Sequence, residues 1–164
     1  MRYRIHRAKR TDNGQWVKGF YVERQYTTYC FTSDYLTHPD NTKGYILFDQ
    51  MMDWGLPNQH YDVEVFIDTV GQNSGKLDKN NRELFEGDIV KVNSMFVPCD
   101  NNIFVVEWCS DWSGFVLRNS FTVYGFDTVD SDDVEVIGNI HDNPKLFICS
   151  GIEEESSEEI VEKR

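Results

Sequence analysis

Apolar and polar side chains alternate with a period of two residues through most of this chain, and helical periodicity is scarce. Such alternation, combined with aromatic and β-branched residues, is typical of strands that bury one face. A short helix is predicted around Asp49–Trp54. The pattern predicts nine strands, at Tyr3–Ala8, Gln15–Glu23, Thr28–Phe31, Gly44–Phe48, Val63–Ile67, Ile89–Val92, Phe104–Trp108, Gly114–Arg118 and Val134–Ile140.

Turns rich in Gly, Asn and Asp separate these segments, as at Thr11–Gly14 and Ser110–Gly114. Many short strands joined by such turns predict a mainly β protein and not an α/β fold. We expect an N-terminal β-rich subdomain over residues 1–82. In the C-terminal half, residues 83–150 have the strand number and length of a small SH3-like β-barrel, which would close on the N-terminal part. Helices should be few and short.

The C-terminal part of the chain contains a predicted helical turn and then a change of composition. Pro144 suits the first position of a helix, and Asn143 can cap it. Leu146 and Phe147 would then fold back onto the barrel. Residues 151–164 contain six Glu and few apolar side chains, so they predict an acidic disordered tail.

Charge is distributed unevenly along a chain whose net charge is −12. Residues 1–10 carry five basic groups and no acidic group. The acidic remainder repels a phosphate backbone, so binding to nucleic acid is disfavoured. Alternation in Arg2–Ala8 favours an amphipathic strand with a solvated basic face over a dedicated binding arm.

The chain has no apolar run of about 18 residues, so no membrane span is predicted. Its N-terminus lacks the apolar stretch of a signal peptide, which indicates a cytoplasmic protein. In that compartment we expect reduced, structural cysteines. The four cysteines are scattered and form no C-x-x-C pair: Cys30, Cys99, Cys109 and Cys149.

Two clusters of carboxylates are the candidates for cation binding. The first contains Asp78, Glu83, Glu86 and Asp88, and the second contains Asp127, Asp130, Asp132 and Asp133. The first does not have EF-hand spacing and is interspersed with basic residues. We expect Asp78 to hydrogen-bond its own turn and Asp88 to belong to the Gly87 turn, and the second cluster to be a solvated loop. We therefore predict no metal, no cofactor and no catalytic residue.

Aromatic side chains offer a contact surface. Trp112 and Phe115 flank the Ser113-Gly114 turn, and we expect them to form part of such a surface. The remaining tryptophans are interpreted as residues that pack in strands or turns: Trp16, Trp54 and Trp108.

The segments Thr69–Gln72, Glu86–Val90 and Val136–Ile140 contain motif residues at set positions. With these motifs the chain resembles the YopX family of phage and prophage proteins. The opening Asn13–Val22 is similar to that family's Trp-Val-x-Gly-Tyr-Tyr pattern. The resemblance extends over most of the chain, except the acidic tail and Tyr35–Tyr61. The motif residues that match are Gly71, Gln72, Gly87, Asp88, Gly138, Asn139, Asn143 and Pro144. The chain departs from the family pattern at Lys76-Leu77 and at Asn81, which replaces a turn glycine.

The resemblance implies a mainly β protein borne by a phage or prophage, with no assigned activity. We expect a non-enzymatic module that self-associates into a homo-oligomer or binds a host or phage protein. A self-assembled form would cover exposed strand edges. One alternative is an acidic decoy that inhibits a host nucleic-acid-binding or defence protein. Another is a weak single-stranded nucleic-acid binder.

Overall fold

The computed structural model of the chain describes residues 5–37, 41–94, 97 and 102–148. It contains two compact units, residues 1–75 and residues 76–164. The sequence placed a boundary between residues 82 and 83. The acidic tail at 151–164 and the first residues of the strand predicted at Tyr3–Ala8 lie outside the described residues.

The first unit contains an antiparallel sheet with the strand order β4-β3-β2-β1-β5. A short helix, α1 (Thr32–Thr37), lies between β2 and β3, and a 3-10 turn (Ile67–Thr69) lies between β4 and β5. The strands are β1 (His6–Lys9), β2 (Trp16–Gln25), β3 (Thr42–Gln50), β4 (Gln59–Val65) and β5 (Gly71–Leu77).

Alternation along these strands places a small apolar core on one face of the sheet. Ala8, Ile46 and Val65 are buried there. Gly19 allows β2 to lie close to β3, since a Cβ atom at this position would collide with the backbone of Leu47. Thr69 Oγ1 accepts a hydrogen bond from the Lys9 amide at 2.9 Å, which fastens the 3-10 turn to β1.

The second unit contains a five-stranded antiparallel sheet with the order β10-β9-β8-β7-β11. The short strand β6 (Glu83–Phe85) precedes these strands in the chain. A 3-10 turn (Ser131–Asp133) precedes β11, and helix α2 (Pro144–Ile148) follows it. The five strands are β7 (Asp88–Val92), β8 (Ile103–Cys109), β9 (Gly114–Arg118), β10 (Val123–Gly125) and β11 (Val134–Asn139).

One apolar cluster stabilises the second unit. Val90, Phe104, Val106 and Leu117 are each 0% exposed and belong to this cluster. Burying an apolar side chain of this size contributes about 1.5–3 kcal/mol. Because alternate residues of β7, β8 and β9 point to the same face, the period-two pattern of the sequence accounts for the cluster directly.

The predicted fold class is confirmed at the level of its secondary structure: the protein is mainly β, with two antiparallel sheets and few short helices. Within the described residues no pairing joins β10 to β11, so the SH3-like barrel stays a prediction. In that same part of the chain no helix is long and apolar enough to cross a membrane.

Two predicted elements were wrong. Residues 28–31 form no strand, because the chain bends there and enters α1. No helix forms at Asp49–Trp54, because β3 continues to Gln50 by pairing with β4.

Three strands were not predicted, namely β5, β6 and β10. Strand β5 consists largely of Gly, Asn and Ser, which have low β propensity, and it forms because Gly71 and Gln72 pair with β1. Strands β6 and β10 have three residues each, which is too short for a visible alternation.

Candidate functional site

The Gly87 turn joins β6 to β7, and the carboxylate of Asp88 stabilises it by a hydrogen bond. Gly87 has φ +81°, which a glycine adopts without steric cost. Its amide donates to Val106 O at 2.8 Å, and its carbonyl accepts from Ile140 N at 2.9 Å. Asp88 is 1% exposed, and its Oδ2 accepts a hydrogen bond from the Phe85 amide at 2.9 Å. The motif residues Gly87 and Asp88 therefore connect β7 to the neighbouring chain segments.

Asp78 organises the turn before β6 and fastens it to β11. Its Oδ1 accepts hydrogen bonds from the amides of Asn80 and Arg82 at 2.8 Å each, and its Oδ2 accepts one from Val136 at 3.3 Å. Burial by itself raises the pKa of this carboxyl, but the amide donors of Arg82, Val136 and Asn80 together lower the pKa below its ordinary value. Asn81 takes φ +60° in the turn, in the position of the family's glycine.

The segment from Gly138 to Pro144 forms a second tight turn, between β11 and α2. Asn139 Oδ1 accepts hydrogen bonds from the amides of His141 at 3.0 Å and Asp142 at 2.9 Å. Gly138 lies so close to the start of α2 that an added Cβ atom would be 2.7 Å from Asn143 Oδ1. Pro144 is the first residue of α2, as predicted.

The matched motif residues thus take part in turns and strand pairing. Gly71 and Gln72 lie in β5, opposite Arg7 and His6 of β1. Across the described part of the chain, no group of three or more His, Cys, Asp or Glu side chains is placed to hold a metal ion. In the second carboxylate cluster, Asp130 caps the 3-10 turn by accepting the Asp133 amide at its carbonyl, 3.1 Å away.

Trp112 and Phe115, which were predicted to share one contact surface, differ in their exposure in the structure. Trp112 is 57% exposed in the β8–β9 turn, whereas Phe115 is half-buried and packs against the core cluster of the second unit. Trp108, which the sequence assigned to strand or turn packing, is 44% exposed, and its ring makes an edge contact with Phe115 at a centroid distance of 5.2 Å. Trp112 and Trp108 therefore supply the exposed aromatic surface at this hairpin.

A more exposed apolar surface lies at the end of the β3–β4 hairpin. We call its four side chains the apolar tip; they are Met51, Met52, Trp54 and Leu56, exposed by 74%, 56%, 95% and 60%. Asp53 shapes the turn, since its carboxylate accepts the Trp54 amide at 2.6 Å and its carbonyl accepts the Leu56 amide at 3.1 Å. Gly55 completes it at φ +80°.

The base of the tip is ordered. Gln50 pairs with Gln59 at the end of the β3–β4 ladder, and Asp49 and His60 are joined at 2.6 Å one step before it. The ladder therefore holds the four apolar side chains away from the core of the first unit. Sequence reasoning missed the tip because it assigned Trp54 to packing. The available signal was an apolar run that contains Gly55 and Pro57 and shows no alternation.

The second unit has an apolar cavity of about 380 Å³ beside β10. It is lined by Val97, Tyr124, Thr128 and Val129. Thr128 Oγ1 donates to Gly125 O at 2.7 Å, so the polar atom of this side chain is engaged by the backbone. The Tyr124 ring is held by an edge contact to Phe104 at 5.6 Å.

Comparison with known proteins identifies a family and similar solved structures. The family model described as YopX protein matches residues 6–147. The crystal structure of protein EF1440 from Enterococcus faecalis is similar with 19% sequence identity and a TM-score of 0.48, over 90% of this chain and 99% of that chain. No curated protein matches the chain.

Proposed function

Because the chain belongs to the YopX family, we propose that it is a phage or prophage protein that acts in the bacterial cytoplasm as a non-enzymatic, self-associating interaction module. The observation that carries this proposal is the apolar tip. Trp54 is 95% exposed at the end of an ordered hairpin, where it adds nothing to the core of its own unit.

The tip has the composition of an interaction hot spot. Trp is among the residues that most often dominate binding energy, and Met adapts its shape to irregular partner surfaces. Full burial of each such side chain is worth about 1.5–3 kcal/mol, which this protein gains only when a partner covers the tip. Binding, and not folding, therefore explains why these side chains are apolar.

The polar motif residues support a non-enzymatic role. Asp78, Asp88 and Asn139 each accept backbone amides in turns, so their oxygen atoms hold the fold together. A general acid or base must instead present its titrating atom to a substrate.

Size-exclusion chromatography with light scattering of the chain and its Trp54→Ala variant tests the proposal. We expect the unaltered chain to exceed its monomer mass of 19.2 kDa, and the variant to associate about 30-fold more weakly, as for a hot spot of about 2 kcal/mol. The matched control is Phe121→Ala, which removes another aromatic side chain, 65% exposed, and should leave the mass unchanged. A strict monomer at all concentrations contradicts self-association.

We also propose that the second unit curls into a small SH3-like barrel. Its strand order is a four-strand meander, β7 to β10, with β11 returning beside β7. The two outer strands share one core, since Val134 of β11 belongs to the cluster and Tyr124 of β10 packs against it. A strongly curved sheet explains how both edges meet the same cluster.

A second candidate function is an acidic decoy of a host nucleic-acid-binding or defence protein. It is favoured by the net charge of −12 and by the exposed carboxylates of Asp127, Asp130 and Asp132. Its partner would be basic, so its affinity should decrease as salt is added.

A further inference from the structure

The sheet of the first unit carries cations and aromatic rings on the face opposite its core. Ala8 of β1 is buried in that core, and Val17 of β2 packs against it. Because side chains alternate along a strand, the neighbours of these two residues point to the opposite face. We call five side chains of this face the basic strip: Arg7, Lys9, Trp16, Lys18 and Phe20.

The pairing of β1 with β2 brings the members of the basic strip side by side. Lys9 lies opposite Trp16, and Arg7 lies opposite Lys18. The cations of Arg7 and Lys9 lie over the Trp16 ring, at 4.8 Å and 5.5 Å from its centroid, in contacts that attract a cation to the ring face. Lys18 is exposed, and Phe20 is 48% exposed. The strip therefore presents ordered positive charge beside an exposed aromatic ring.

The charge of the basic strip is entirely positive. On this face of β1 and β2, the charged side chains of the described residues are all cations, and they include Arg24 beyond the strip. Arg24 is neutralised by Asp62, since their side chains form an ion pair at 2.8 Å. The three cations of the strip, in contrast, have no carboxylate beside them on these two strands.

The carboxylates that disfavour an anionic partner belong mainly to the second unit. Residues 1–75 contain eight Lys or Arg and nine Asp or Glu, which gives a net charge of −1. Residues 76–164 contain eight and nineteen of these residues, which gives −11. The net charge of the whole chain conceals this difference. Because salt at 0.1 M screens exposed charges beyond about 10 Å, a bound anion responds mainly to the charges of the strip itself.

We propose that the basic strip binds single-stranded nucleic acid, with bases stacked on Phe20 and phosphates bound by the three cations. Proteins that bind single strands combine a positive surface along the backbone with aromatic side chains on which bases stack. A duplex keeps its bases stacked inside the helix, and an acidic peptide has no bases, so the aromatic ring favours a single strand over both. This inference goes beyond the interaction module and does not depend on the apolar tip.

Fluorescence anisotropy with a labelled oligothymidine tests the inference. We expect a dissociation constant on the order of 10⁻⁵ M at about 50 mM salt. It should increase about 20-fold at about 200 mM salt, because three phosphate contacts give a slope of about −2 for log K against log salt. A duplex of the same length should bind at least about fivefold more weakly, since its bases cannot stack on Phe20. Equal binding of the duplex, or no binding at about 100 µM protein, overturns the inference.

Two variants separate the contribution of charge from that of the ring. Lys18→Gln should reduce the magnitude of the salt slope by about 0.7, because one phosphate contact is lost. Phe20→Ala should weaken binding at least about fivefold and leave the slope unchanged, because a stacking contact is lost. Phe20→Tyr keeps the ring and should retain binding. Loss of binding in Phe20→Tyr equal to that in Phe20→Ala overturns the stacking role.

The matched controls make the same chemical changes outside the strip. Lys145→Gln removes an exposed lysine of α2, and Phe121→Ala removes a ring that is 65% exposed. Both variants should bind as the unaltered chain does. If Lys145→Gln weakens binding as much as Lys18→Gln, binding follows net charge and the basic strip is not the site.

Photochemical crosslinking does not depend on whether any variant folds. An oligothymidine that contains 4-thiothymidine should crosslink to the peptide with residues 16–20, identified by mass spectrometry. Crosslinks confined to residues 76–164 overturn the inference. So does a polyglutamate peptide that displaces the labelled strand as well as unlabelled oligothymidine does at equal charge, because it would show a surface that accepts any polyanion.

Discussion

Asp78 illustrates how a single side chain determines the local path of this protein. The sequence places it in a turn-rich segment, where Asp commonly accepts the amide of the residue two positions later. The structure adds a contact that the sequence does not reveal, because Oδ2 also reaches the Val136 amide in β11, 58 residues away. Asp78 is 2% exposed, so three backbone amides take the place of water as hydrogen-bond donors to its carboxylate.

At the residue scale, Asp78→Asn should destabilise the protein by about 1–3 kcal/mol at pH 7, because an amide replaces a charged acceptor of three hydrogen bonds. The pKa of Asp78 is lowered in the folded state, so its contribution to stability is present above the unfolded pKa of about 3.9 and is lost as the pH falls through the lower folded value. The difference between the two proteins in urea unfolding should therefore shrink below about pH 4.

The control for this prediction is Asp132→Asn, which changes an exposed carboxylate of the 3-10 turn and should stay within about 0.5 kcal/mol. A pH-independent difference between Asp78→Asn and the unaltered chain would show that the carboxylate charge does not contribute to stability.

At the scale of elements, β11 and α2 depend on a glycine for their close approach. The register of β11 against β7 shifts between Val136 and Gly138, and α2 begins only six residues after Gly138. A side chain at Gly138 would be 3.0 Å from Leu146 Cδ1 as well as close to Asn143. The glycine thus lets a short helix, too short to be stable by itself, pack on the strand.

Gly138→Ala should therefore destabilise the second unit by about 1–3 kcal/mol through overpacking. In hydrogen exchange, the amide of Leu146, which donates to Asn143 O at 3.0 Å, should lose protection more than the amides of β7. Gly114→Ala is the matched control, since its Cβ atom would meet nothing closer than 3.7 Å. Equal loss of protection in α2 and β7 would indicate global destabilisation instead of release of the helix.

At the scale of the whole molecule, net charge and exposed apolar surface have opposite effects. A net charge of −12 keeps copies apart at long range, whereas the apolar tip attracts at contact. The proposed self-association and the alternative decoy binding should therefore respond to salt in opposite directions.

Raising the salt concentration from about 0.1 M to about 1 M shortens the Debye length from about 10 Å to about 3 Å. We expect the dissociation constant of the self-associated form to fall about three- to tenfold, because repulsion between copies is screened while apolar burial persists. Analytical ultracentrifugation at both salt concentrations measures this change. Weaker association at high salt would contradict an apolar contact between like-charged copies.

Much of the fold follows from local pattern. Strands β7, β8 and β9 were predicted because apolar residues recur two positions apart within each strand, as in Val90 and Val92, Phe104 and Val106, and Phe115 and Leu117. Strand β5 could not be found in this way, since its Gly and Asn residues become a strand only by pairing with β1. For the candidate site, the chemistry of turn residues predicted the roles of Asp78 and Gly87. The exposure of the tip could not be predicted in this way, because it depends on where the pairing of β3 with β4 ends.

The sequence by itself determined the mainly β class, the turn residues and the family, because alternation, glycine positions and motif spacing are properties of neighbouring residues. Only the tertiary structure decided which aromatic side chains face water. Trp54 and Phe115 both occur in apolar segments, yet one is 95% exposed and the other packs against a core. The reason is that burial depends on which side chains of other strands pack against each face, and those side chains belong to residues distant in the chain.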